Sequence, residues 1–147
     1  GSQAVLGQFP HAPPELLVSV EADLYPRHHP ERADLIDGSI GELSPFHQTF
    51  GYYAHGVGEE TAKLPAGWEN RLIRVPVGDA IGLCLEVHDL VLSKYVASRE
   101  KDRAFNRAAI RHGLVRREVL LDRLGAMDVD PAFRQALRGQ IEADFAR

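Results

Sequence analysis

The sequence has little cysteine, no long apolar run and none of the common short catalytic motifs. Its single cysteine, Cys84, cannot form an intramolecular disulfide, which excludes a disulfide-stapled domain and favours a reducing, cytoplasmic location. No apolar run approaches the ~18 residues that cross a bilayer, so neither a membrane span nor a membrane partner is expected. The patterns HExxH, CxxC, GxSxG and GxxxxGK are absent, which argues against zinc proteases, thiol oxidoreductases, serine hydrolases and P-loop enzymes.

What is present indicates a globular protein with unevenly distributed charge. The hydrophobic share of 44% supports a sizeable core, and 26% charged residues is an ordinary surface share. Residues 1–96 carry a net charge of −7, whereas residues 97–147 carry +3. This asymmetry suits a site that collects cations at one end and anions near the join, but solvated faces of Arg-rich helices explain it equally well.

The pattern of apolar residues predicts strands first and helices afterwards. Residues 15–25 alternate between apolar and polar as a strand does, and residues 71–77 and 81–87 read as a hairpin. Capping signals predict two helix starts, at Ser44-Pro45 and at Asp130-Pro131. The order predicts the α+β class, with a small mixed β-sheet backed by helices. Further predictions are helices over 31–37, 89–100, 103–112 and 115–124, and a strand over 52–57.

Glu21 and Asp23 form the most informative pair in the chain. Residues two apart in a strand point to the same side, with Cα atoms about 6.5 Å apart, so both side chains can reach one ion. The opposite face is apolar and is expected to be covered, which makes two adjacent carboxylates costly unless a hard divalent cation such as Mg²⁺ binds them. The alternative is a strand with one face in water, where paired acids are ordinary.

Lys94 is the second candidate functional residue. It lies in a helix that is apolar nearly all round, so its ammonium needs an anion, either a carboxylate of this chain or a ligand phosphate, unless it extends to water. Glu86 comes just before this helix. Asp89 lies in its first turn, where a negative charge suits the helix dipole.

These residues resemble the signature of the polymerase-β-like nucleotidyltransferases. That signature is a Gly-Ser loop followed by a strand with two acids one residue apart, and a later helix with an Asp-Leu-x-x-x-Lys pattern. The later helix resembles the one found in minimal bacterial members, which include abortive-infection and toxin–antitoxin proteins. The matching stretches are Gly1-Ser2, Glu21-Ala22-Asp23, residues 88–94 and residues 98–102.

The resemblance implies a metal-dependent enzyme that moves a nucleoside monophosphate from a nucleoside triphosphate to a hydroxyl group. Glu21 and Asp23 would hold one or two Mg²⁺ ions, and Glu86 would supply the third acid. Gly1 and Ser2 would contact the distal phosphates. Lys94 and Arg99 would neutralise the charge of the triphosphate or of the leaving pyrophosphate.

The resemblance also bears on partners and on domain organisation. The acceptor would be a protein, a tRNA or a small molecule, and a cognate toxin or antitoxin is a further possible partner. The alternative is a binding or toxin–antitoxin protein on the same fold whose catalytic site is eroded, because the first acid is Glu rather than Asp. The resemblance assigns residues 1–112 to a nucleotidyltransferase-like domain and residues 113–147 to a helical extension.

Overall fold

The computed structural model describes residues 1–147, and their contacts divide the chain into two compact units. The first unit comprises Gly1–Gln3 and Leu17–Ala62, and the second comprises Ala4–Leu16 and Lys63–Arg147. A 3-10 helix over Ser2–Gly7 contributes residues to both. The predicted boundary at residue 112 is a different division, and it stays a prediction. No helix combines the length and the apolar character that a bilayer span requires.

The first unit is built on a parallel pair of strands. β1 pairs with β2 in the register Glu21↔Tyr53 and Asp23↔His55. Parallel strands need a crossover, and two helices follow β1 and precede β2. The predicted helix start at Ser44 is confirmed, because its side chain accepts a hydrogen bond from the backbone N–H of His47. The elements are β1 (Glu21–Leu24), α1 (Ala33–Ile40), α2 (Pro45–Phe50) and β2 (Tyr53–Gly56), with 3-10 helices at Pro30–Arg32 and Glu59–Thr61.

The predicted strand over residues 15–25 is too long. Pro14–Leu16 forms a 3-10 helix, and β1 extends only as far as the four residues of β2 that pair with it. The expectation that the apolar face is covered is also wrong. Val18 is 78% exposed and Val20 is 52% exposed, whereas Leu16 is buried. The acid pair therefore lies on a short, half-buried strand, β1, rather than on an interior strand of a larger sheet.

The second unit combines a hairpin with four helices. The predicted hairpin is confirmed, with β3 (Ile73–Val77) and β4 (Ala80–Cys84) antiparallel and Val77 opposite Ala80. Its second strand is shorter than the predicted 81–87, because Glu86 already caps the following helix. Gly78 turns the chain between them with a φ of 58°, a conformation that glycine adopts without strain. The helices are α3 (Val87–Ala97), α4 (Glu100–Arg111), α5 (Arg117–Gly125) and α6 (Pro131–Phe145), with 3-10 helices at Pro14–Leu16 and Trp68–Arg71.

Helix α3 is the centre of this unit. It is buried on nearly every side, including Leu90, Val91 and Leu92, as its apolar composition predicts. Helices α4 and α5 both contact it, and α6 packs on α5 and α4. The α+β class is confirmed, but the strands form one parallel and one antiparallel pair rather than a single mixed sheet.

Candidate metal centre

Glu21 and Asp23 lie at the two ends of a three-residue stretch of β1 and share one face. Their carboxylates are about one-third exposed, at 29% for Glu21 and 32% for Asp23. One ligand atom from each, together with a ring nitrogen of His55, lies within 4.8 Å of the other two. The structure therefore brings the predicted acid pair together, and it adds a third group with metal-binding capacity.

His55 reaches the acids through the register of the sheet. It lies opposite Asp23 on β2, and its Nδ1 is 3.5 Å from Oε1 of Glu21. Sequence reasoning missed this residue. The only available signal was its position within the strand predicted over 52–57, and that signal becomes useful only when the parallel pairing is known.

The donor set fits a divalent cation. Two carboxylates are suitable for Mg²⁺, which prefers oxygen ligands, and an imidazole nitrogen adds affinity for ions such as Mn²⁺ and Zn²⁺. His55 is 55% exposed, so its ring is accessible to solvent and to ligands. Glu21, Asp23 and His55 are the residues of the first unit that would hold the ion.

The backbone of Gly1 runs against this pair of acids. The Gly1 nitrogen lies 3.0 Å from Oδ2 of Asp23, and a Cβ added at Gly1 would lie 2.9 Å from the same oxygen. A larger residue would crowd the carboxylate there. Nearby, Gln3 donates a hydrogen bond of 2.6 Å to the carbonyl of Ser19. Burial raises the pKa of Asp23, but the Gly1 nitrogen, His55 and the hydrogen bond with Glu21 together outweigh burial and lower the pKa below its usual value. The phosphate-binding roles of Gly1 and Ser2 stay predictions.

Glu86 lies in the second unit, where it caps α3. Its side chain accepts a hydrogen bond from the backbone N–H of His88 and contacts His88 Nδ1 at 2.7 Å. Arg123 donates to the same carboxylate. The other ring nitrogen of His88 accepts from the backbone N–H of Arg116 at 3.0 Å, so His88 links the start of α3 to the start of α5. The prediction of Glu86 as a third acid remains open, although it already has a cation and an imidazole as partners.

Lys94 has a carboxylate of its own chain as its anion. Its Nζ lies 3.1 Å from Oδ1 of Asp102 and 4.8 Å from the centre of the Phe105 ring. Arg99 contacts the other oxygen of Asp102 at 2.7 Å. Burial lowers the pKa of Lys94, and the hydrogen bond to Asp102 opposes this effect. The phosphate contacts predicted for Lys94 and Arg99 remain predictions, and for Lys94 such a contact would compete with Asp102.

Asp89 is fully buried and forms ion pairs with two arginines, Arg71 and Arg123. Its carboxylate accepts hydrogen bonds from Nε and a terminal nitrogen of Arg71, at 2.8 and 3.2 Å, and from a terminal nitrogen of Arg123 at 2.9 Å. The sequence correctly places Asp89 in the first turn of the helix. It does not indicate the arginine partners, which lie 18 and 34 residues away.

The Glu86 carboxylate makes stability depend on acid pH. Burial raises its pKa, but hydrogen bonds from His88 and Arg123 outweigh burial and lower the pKa to about 2. Because the folded-state pKa is the lower one, this stabilisation is complete above pH 4.5 and is lost as the pH falls toward 2. Between about pH 6 and about pH 3, we expect Glu86 to account for about 2 kcal/mol of lost unfolding free energy. Urea denaturation of the wild type and of Glu86→Gln at both pH values measures the unfolding free energy that each protein loses. Equal losses of unfolding free energy in the two proteins would contradict this prediction.

A family described as nucleotidyltransferases of unknown function (DUF6036) matches residues 34–137. The chain belongs to this family. As a DUF6036 member it is nucleotidyltransferase-like, which confirms the resemblance noted from the sequence. The match includes His55, Glu86 and Lys94, whereas Glu21 and Asp23 precede it. No curated protein and no solved structure matches the chain.

Proposed function

We propose that this protein transfers a nucleoside monophosphate from a nucleoside triphosphate to a hydroxyl acceptor, with a divalent cation held by Glu21 and Asp23. The observation that carries the proposal is the convergence of these two carboxylates and His55 within 4.8 Å. Membership of a nucleotidyltransferase-like family supports the nucleotide as substrate. A cation bound there would neutralise negative charge on the triphosphate as the bond to the leaving group breaks.

The chemical step follows from the group that is moved. The acceptor oxygen forms a bond to the α-phosphorus, the bond from that phosphorus to the bridging oxygen breaks, and pyrophosphate leaves. The acceptor's proton passes to water. The chain's contribution is positioning and electrostatics. Glu21 and Asp23 would supply the negative charge that retains the cation, and the Gly1 backbone beside Asp23 would face the phosphates.

A second candidate is a binding protein on the same fold without catalytic activity, such as a partner in a toxin–antitoxin pair. One observation favours it. The third group beside the acids is a histidine, His55, and Glu86 is already engaged by Arg123 and His88. A site with only two carboxylates would bind a cation more weakly than one with three.

The two candidates are separated by following the two ends of the triphosphate. We would incubate the protein with each nucleoside triphosphate, labelled on the α- or the γ-phosphate, together with protein and RNA acceptors and Mg²⁺ or Mn²⁺. Nucleotidyl transfer incorporates the α-label and not the γ-label, and EDTA abolishes it. Incorporation of the γ-label, or incorporation that resists EDTA, would contradict the proposal. Nucleotide binding without incorporation of either label would support the non-catalytic candidate.

A further inference from the structure

The segment from Arg99 to Arg117 is far more basic than the rest of the chain. Its nineteen residues include seven Lys or Arg and two Asp or Glu, a net charge of +5 in a chain whose total is −4. We call residues 99–117 the α4 basic segment, because it comprises the N-cap of α4, the whole of α4, the connection over residues 112–116 and the first residue of α5. One of its two acids, Asp102, is fully buried, so the exposed charge is more positive still.

Helix α4 presents this charge on one side. Arg103, Arg107 and Arg111 follow at four-residue spacing, which places one guanidinium on the outer face about every 6 Å. All three are exposed, and Arg111 also forms an ion pair with Glu15. The inward side carries buried residues such as Phe105 and Ala109. Glu100, in the first turn, is the one exposed acid of the helix.

Of the three arginines, Arg107 is oriented by a buried carboxylate, Arg103 contacts Ser98, and Arg111 pairs with the exposed carboxylate of Glu15. Oδ1 of the buried Asp144 lies 3.4 Å from Nε of Arg107 and 4.0 Å from Nε of Arg147, so one negative charge pairs with two cations. Asp102 is likewise shared between Lys94 and Arg99. The contact with Asp144 therefore fixes the position of the Arg107 side chain while leaving one of the two cations in excess of this carboxylate.

The geometry leaves groups suited to phosphate pointing outward. Arg103 uses its Nε to contact the carbonyl of Ser98 at 3.1 Å, and Arg107 uses its Nε to contact Asp144. Their terminal guanidinium nitrogens remain for a ligand. A guanidinium binds a phosphate through two parallel hydrogen bonds, which makes arginine the preferred residue for phosphate recognition. Arg116 and Arg117 extend the basic surface past the end of α4, and both are exposed.

We propose that the α4 basic segment binds the phosphate backbone of a nucleic acid. A row of outward guanidinium groups at regular spacing complements a regular row of phosphates, and release of counterions from the nucleic acid drives such binding. The contacts are with phosphates, so the segment confers affinity rather than base selectivity. This inference concerns residues of the second unit only and requires neither a metal nor a nucleoside triphosphate.

The test uses residues that make no ion pair with a buried carboxylate, so that folding is spared. The test variant is Arg103→Gln, Arg116→Gln, Arg117→Gln. The control variant, Arg27→Gln, Lys63→Gln, Arg74→Gln, makes the same change in net charge at three exposed positions outside the segment. Binding of the full chain to a labelled RNA hairpin, a single-stranded RNA and a DNA duplex is measured by fluorescence anisotropy in EDTA over a range of NaCl. Unchanged thermal unfolding verifies that both variants are folded.

We expect wild-type binding that weakens steeply with salt, with a slope of log K against log[NaCl] that reflects the phosphates contacted. The test variant should bind about tenfold or more weakly and lower that slope by about 2, since each lost phosphate contact removes about 0.9 from the slope on duplex DNA and about 0.7 on single strands. The control variant should stay within about threefold of wild type. A preference among the three probes would identify the backbone geometry that fits.

Three results would overturn the inference. The first is no binding to any probe at low salt. The second is an equal loss of affinity in the test and control variants, which would mean that binding follows total charge and not the segment. The third is tighter binding to an acidic polypeptide, such as polyglutamate, than to the nucleic acids, which would identify the segment as a protein-binding surface.

Discussion

Replacing Asp23 with asparagine is expected to lower the rate of nucleotidyl transfer about a thousandfold, or about 4 kcal/mol of transition-state stabilisation. Asparagine keeps the size and shape of the side chain but removes the negative charge that would retain the cation. Asp23 is also the acid that lies closest to the Gly1 backbone, at 3.0 Å. The measurement is incorporation of the α-label from the nucleoside triphosphate at saturating acceptor, with the thermal unfolding of each variant recorded alongside.

Two neighbouring changes make this result specific. Glu21→Gln should cause a loss of similar size, because Glu21 belongs to the same donor set. His55→Ala should cost only about tenfold and should lower the activity with Mn²⁺ more than the activity with Mg²⁺, since an imidazole favours transition-metal ions. Full activity in Asp23→Asn, together with its loss in Glu86→Gln, would place the essential acid in the second unit and contradict the proposed site.

The largest effect on stability is expected for Asp89→Asn. The fully buried carboxylate balances the guanidinium groups of Arg71 and Arg123, and a neutral amide would leave that positive charge without its main buried partner. Removing one member of a buried ion pair costs about 3–5 kcal/mol. In a protein of this size, that corresponds to a fall of about 10 °C in Tm.

Trp68 gives a direct readout of this change, because the single tryptophan lies in the same unit as Asp89. Its fluorescence during urea denaturation reports on the unfolding of the second unit. Asp79→Asn is the matched control, since Asp79 is exposed in the β3–β4 turn, and its effect should stay within about 0.5 kcal/mol. Equal stability of the two variants would show that Asp89 contributes no more than a surface acid.

The elements that could be predicted from the sequence are those encoded by neighbouring residues. The β3–β4 hairpin has a Gly-Asp turn between two apolar runs, and α6 begins where Asp130 accepts hydrogen bonds from the N–H groups of Ala132 and Phe133. The apolar residues around nearly the whole circumference of α3 predict its burial, which the structure confirms. Each of these signals acts within a few residues, so no knowledge of the tertiary fold is needed to recognise it.

The features that could not be predicted depend on residues that are distant in the chain. His55 joins the acids only because β2 pairs in parallel with β1, and nothing near His55 indicates that register. The partners of Asp89 and of Lys94 depend on how the helices of the second unit pack. The alternation over residues 15–25 indicated a long covered strand. It could not show that only four of those residues find a pairing partner.

Because β1 and β2 pair in one parallel register, insertions and deletions have different consequences in the strands and in the segment that connects them. The segment between the strands, which carries α1 and α2, could gain or lose residues in its exposed turns while Asp23 and His55 remained opposite each other. Within either strand, deletion of one residue would reverse the direction of every side chain beyond it and separate the carboxylates from the imidazole. Insertions and deletions should therefore be tolerated in the crossover and be damaging within the eight paired positions of the two strands.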